Sequence, residues 1–108
     1  MRAGELDRRI TLLEEQETLS PSGAPVRQWV PVASVFASFR PLPGKERYQA
    51  PQTLAVRTGT WRIRWRSGIH EAMRFRFRDE IWRIDGLAEI GRREGIEITA
   101  TALDPGEM

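Results

Sequence analysis

The chain is 108 residues long, 40% hydrophobic and 30% charged, with a net charge of +2. That is the balance of one soluble domain with one modest core, and no apolar run approaches the roughly 20 residues that span a bilayer. The absence of cysteine excludes disulfides and thiolate metal sites, which fits a reducing compartment, and MRAGELDRRI lacks the apolar centre of a secretory signal.

Leu6 to Glu17 reads as a first strand with Ile10 and Leu12 on one face, although the same residues also fit a short helix. Ser20 to Pro25 is a turn cluster. Val26 to Arg40 is a β-branched and aromatic run, and Pro31 within it implies an edge position, a bulge or a break. Pro41 to Gly59 has no strand alternation. It reads as a long loop, partly helical, with Pro51 at an early helical position where its missing N–H costs little. Long excursions from a compact domain are often functional.

Thr60 to Asp79 carries the strongest pattern. Trp61, Ile63 and Trp65 alternate with Arg62, Arg64 and Arg66. Met73, Phe75 and Phe77 then alternate with Arg74, Arg76 and Arg78. Period-two alternation marks strands with one buried face, and a slip of one residue would bury the arginines. Paired as a hairpin, the two runs would put six arginines on one outer face. That face calls for acidic partners from adjacent strands, another subunit or phosphate. Glu80 to Gly86 and Glu94 to Leu103 read as further strands, and residues 104–108 as a flexible tail. The sum is an all-β domain over residues 1–108: a small barrel or sandwich of five to seven antiparallel strands with one long loop.

Charge is unevenly spread. Residues 18–70 carry eight basic residues and one acid, a net +7, while residues 1–17 sum to −2 and residues 71–108 to −3. The predicted core is Trp29, Trp61, Ile63, Trp65, Phe75, Phe77, Ile84, Ile96 and Ile98. The aromatics among them also fit stacking platforms for single-stranded nucleic acid, but their alternation with arginine turns them inward. His70 is the lone histidine, with no partner nucleophile at a suitable spacing. No ligand cluster, phosphate-binding glycine motif or carboxylate dyad is found, so the chain is read as a non-enzyme without metal or cofactor.

In order along the chain, GELDRRITLLE, Trp29 to Ala37, Arg40 to Glu46, Trp61 to Arg66, Gly68-Ile69 with Met73 to Phe75, and Ile81 to Ile84 resemble the phage head–tail joining family, also called head–tail adaptor, head-closure or stopper proteins. Trp65 stands where that family usually has tyrosine, and Pro51 interrupts its loop helix. The resemblance implies a structural virion protein on a small β-barrel. Such a protein forms a ring of six or twelve copies below the portal and adaptor, closes the DNA exit, and docks a tail terminator or tail tube protein. It implies a virion or virion-like particle, whether of a phage, a prophage or a gene transfer agent, assembled in the bacterial cytoplasm. On this reading Arg40, Lys45, Arg47 and Arg57 sit on a loop facing packaged double-stranded DNA without reading its sequence, and no membrane or small-molecule substrate is involved. Arg62, Arg64, Arg66, Arg74, Arg76 and Arg78 would form a subunit-interface or charge-paired face. Two other classes fit the residues less closely: a nucleic-acid-binding barrel of the oligonucleotide-binding or Sm-like type, and another tail-assembly component such as a tail terminator.

Overall fold

A computed structural model describes residues 3–41 and 58–104. A short 3-10 helix (Ala3–Glu5) precedes six strands: β1 (Arg8–Leu19), β2 (Pro25–Pro41), β3 (Thr58–Arg64), β4 (Arg74–Phe77), β5 (Glu80–Ile90) and β6 (Gly95–Ala102). All pairings are antiparallel. The order β1-β2-β3-β6-β5-β4 closes on itself, because β4 pairs back onto β1. The result is a six-stranded, barrel-like ring.

The first strand is a strand and not the alternative helix, and Ile10 and Leu12 do share its buried face. The bulge alternative for Pro31 is the one realised. Leu12 pairs with Ala33 and Leu13 with Pro31, which leaves Val32 as the extra residue. A proline cannot donate to the ladder, and a bulge absorbs that deficit locally. A second irregularity falls at Asp85 in β5, between Ile84 and Gly86. Gly23 closes the β1–β2 turn at a φ of 86°, conformational space that L side chains rarely enter, and its N–H bonds Ser20 O at 2.8 Å.

One expectation from the sequence needs correcting. The two arginine-bearing runs do not form a hairpin. β3 pairs with β2 and β6, and β4 with β1 and β5, so the two lie three strands apart in either direction around the ring. Their apolar faces meet through the core instead. Trp61 lies edge-on to Phe75 and to Phe77, each at 5.2 Å between ring centroids. Trp61 also contacts Trp82 at 5.2 Å and Phe39 at 4.6 Å, so four rings surround it. Large and small residues alternate around this cluster: Trp82 pairs with Ala102 and Ile84 with Ala100. Small partners beside the indoles let a narrow ring fill without voids.

The strand ends define two poles. At one, Pro41 pairs with Gly59 and Thr58 with Thr101. At the other, Arg64 pairs with Gly95, and β1 and β2 run on as a two-stranded arm. Beyond Leu13 the first strand has only β2 beside it, so the arm (14–30) projects from the ring, its tip at the turn before Pro25. Nearly all its residues past Glu14 are exposed.

Of the anticipated loop at 41–59, Pro41 ends β2 and Thr58 and Gly59 begin β3. The intervening residues, and with them the partly helical reading, lie outside the described residues. So do residues 105–108 of the anticipated tail.

Candidate interaction surface

Backbone alternation throws the arginines outward, and each flank treats them differently. On β3, Arg62 donates to Glu97 of β6 at 3.1–3.2 Å, its direct cross-strand partner. Arg64 faces Gly95 and therefore no side chain across the ladder. Arg66 lies beyond the strand end. On the opposite flank, Arg74 pairs in register with Arg83, a like-charge juxtaposition. The conflict is relieved on both sides. Arg83 Nε donates to Asp85 at 3.0 Å, and the Arg74 guanidinium lies 4.5 Å from the Trp29 ring. Asp85, placed by its bulge, also accepts from the Thr101 hydroxyl at 2.6 Å. Arg76 sits between Thr11 and Ile81. Arg78 occupies the β4–β5 turn at a φ of 55° and covers the Phe77 ring at 5.0 Å. The six arginines thus form two stripes on opposite sides of the ring, not one face.

The residues expected in the core divide three ways. Trp61, Ile63, Phe75, Ile84, Ile96 and Ile98 are buried in a single cluster, whereas Trp65 and Phe77 pack against its margin. Trp29 is the correction: it is half-buried at the base of the arm, opposite Glu15 and under Arg74. The arm carries Trp29 past the last strand able to cover it. Trp61 is 1% exposed and Phe75 fully buried, so neither ring is open to a stacked base. Among the described residues the indole N–H groups of Trp61 and Trp82 have no acceptor, which leaves two unpaired donors inside the core.

Of the expected loop cations, Arg40 is exposed at the Pro41–Gly59 pole, paired in register with Thr60. Lys45, Arg47 and Arg57 lie outside the described residues. His70 is exposed and sits 3.1 Å from Glu14 of the arm, tying the β3–β4 loop to the arm's base. The described residues contain no group of three or more His, Cys, Asp or Glu able to hold a metal.

Arg62–Glu97 on the ring and Arg27–Glu15 at 2.8 Å on the arm are charge contacts between adjacent strands, and the Arg62–Glu97 side chains remain well solvated. Exposed pairs contribute little. The expected outcome of Glu97→Gln is a stability loss of no more than about 1 kcal/mol in a urea titration. A much larger loss would mean that the arginine stripe is structural in the isolated chain.

Sequence reasoning missed the solvent-facing apolar residues. Phe36 is 57% exposed opposite Arg9, and Leu19 is 74% exposed at the arm tip. A signal for Phe36 was present: it is out of phase with Val35 and Ala37, which turn inward. No local signal marks Leu19, because its exposure follows from β1 outrunning β4.

Solved structures that share the fold include two that match nearly the whole chain. Protein SF1141 from Shigella flexneri 2a, a solution structure, is 24% identical with a TM-score of 0.73, covering 100% of both chains. A chain in the virion of a native gene transfer agent particle is 24% identical with a TM-score of 0.67, covering 91% of this chain and 96% of that one. No curated protein matches. The model of the phage head completion family matches residues 1–103. Such proteins are structural parts of the virion at the head–tail connection, where they associate with other head and tail proteins. Matched over nearly its whole length, the chain belongs to the phage head completion protein family.

Proposed function

We propose that the chain is a ring-forming stopper. Copies arrayed around the DNA exit close the channel below the portal and adaptor and present the docking surface for the tail. Residues 1–108 act as one head-closure unit, by shape and charge and not by turnover.

The observation that carries this reading is the Pro41–Gly59 pairing. It brings both ends of the sixteen-residue segment 42–57 to one pole, opposite the arm. With Arg40, that segment holds four basic residues (Arg40, Lys45, Arg47, Arg57) against Glu46, a net +3. A cationic excursion from one pole suits a channel that holds a polyanion, with contacts to phosphate and none to bases.

The test replaces Arg40, Lys45, Arg47 and Arg57 with glutamine in the particle-producing cell. The expected result is particles that package DNA and then lose it already at low salt, with retention depending on salt less steeply than in the parent. Each phosphate contact removed lowers the salt slope of binding by about 0.9, so four removals lower it by about 3–4. DNA retention and tail attachment equal to the parent particle would reject the loop as a gate.

A further inference from the structure

The subunit carries two features that a lone copy leaves unused. The first is an open edge on β2. This strand pairs with β3 only from Ala37 onward, and among the described residues nothing pairs with that edge between Pro31 and Ala37. The five residues Val32–Phe36 form a socket, bounded on one side by a proline that cannot donate and on the other by the Ala37–Ile63 pair. Val32 is 48% exposed and Phe36 57%. Beside the socket lies a groove of about 320 Å³ lined by Leu6, Val35, Phe36, Arg64, Trp65 and Arg66. It opens where β2 and β3 diverge. Its floor is apolar, its rim carries two guanidiniums, and neither arginine has an acidic partner among the described residues.

The second feature is the arm itself. Past Leu13 the outer edge of β1 is open for six residues, Glu14–Leu19. Residues 14–30 hold three acids and one base (Arg27), a net −2; Glu14 lies 3.1 Å from His70 and Glu15 accepts from Arg27 at 2.8 Å, while Glu17 shares a face of β1 with the exposed Leu19 and has no such partner among the described residues. Isolated proteins protect open edges with proline, bulges and charge. Here Pro25, Pro31 and the Val32 bulge protect part of β2, and yet an apolar, unpaired stretch remains.

We propose that the occupant of this groove is the arm of a second copy. The Glu14–Leu19 edge of one subunit adds as a strand to the Val32–Phe36 edge of the next, with Leu19 in the apolar floor and Glu17 facing Arg64 and Arg66. Donor and acceptor complement each other within one sequence: the donor edge ends in an acid and an apolar tip, and the acceptor edge has a basic rim over an apolar floor. They cannot meet within one subunit, because β1 already pairs with the opposite edge of β2. The contact is head-to-tail, so it propagates and can close a ring. It rests on the stopper reading in that it supplies the neighbour contact a ring needs.

The chain lacks cysteine, which makes a directed test clean. Thr18→Cys and Ser34→Cys are introduced together. Ser34 pairs with Thr11, so within one chain the two positions are seven residues apart along β1, about 23 Å. A thiol cross-linker shorter than that can join only different chains. Applied to purified particles, it is expected to give a ladder of covalent multimers ending at one closed size. Arg64→Glu with Arg66→Glu should cut the yield by about tenfold, and adding Glu17→Arg should restore part of it. Incorporation into particles with no interchain product would overturn the arm contact and leave the stopper reading standing. Multimers from the purified protein, with the chain absent from particles, would support the contact and overturn the stopper reading.

Discussion

Trp61→Ala is expected to lower stability by about 3–5 kcal/mol, close to the whole margin of a small domain. Trp61 is the pivot of the core, with Phe39, Phe75, Phe77 and Trp82 all around it. Its removal deletes the largest buried side chain and leaves a cavity that a closed sheet cannot collapse to fill. At roughly 4 °C per kcal/mol for this length, thermal unfolding should move down by about 12–20 °C. One term works the other way. The indole N–H has no acceptor among the described residues, so its loss relieves part of that cost. Trp61→Phe separates the two terms by keeping most of the volume and removing the unpaired donor, and it should cost less than half as much. A Trp61→Ala protein with unchanged melting would refute this account of the core and return the indole to the surface.

The second large effect is expected at Gly59. It starts β3 at the pole from which segment 42–57 departs, paired with Pro41 on one side and Ala100 on the other. A methyl group there would run into the Phe39 ring and come within 2.8 Å of Arg40 O. The backbone oxygen cannot step aside without breaking the ladder. The ring cannot either, because Phe39 is packed 4.6 Å from Trp61. Gly59→Ala should therefore cost about 2–3 kcal/mol, at the upper end of overpacking penalties, and Gly59→Val more. Denaturant midpoints would measure the loss, and amide shifts at Phe39 and Arg40 would locate it. Full stability in Gly59→Ala would mean that β2 and β3 separate freely at this pole.

Several features of the fold were open to reading from the residues alone. The alternation from Trp61 to Phe77 fixed which side chains turn inward, and Pro31 announced an irregularity where a bulge is found. Pairing was not legible, because period two states which face is buried and is silent about which strand lies alongside. A hairpin between β3 and β4 was the local solution. The ring prefers to place their apolar faces across the core from each other, where Trp61 and Phe75 interlock. Trp29 misled for a related reason. It has the composition of a core residue, but its place on the arm is set by how far β1 and β2 outrun their neighbours, a property of the whole sheet. The interaction surface was legible as charge and not as geometry: arginines at alternate positions were plain, and their division between two flanks was not.

The ring is sealed by its thinnest join. Thr11, Leu12 and Leu13 meet Arg76, Phe75 and Arg74, three residue pairs bridging parts of the chain more than sixty positions apart. Such a distant closure comes late in folding, since loop entropy is spent before any contact repays it. A short seam is also where a closed sheet parts most easily while its longer hairpins stay whole. The arm begins immediately beyond that seam. Its angle to the body is therefore set by three residue pairs and two side-chain contacts, His70 with Glu14 and Arg74 over Trp29, so loosening the seam would free the arm to swing.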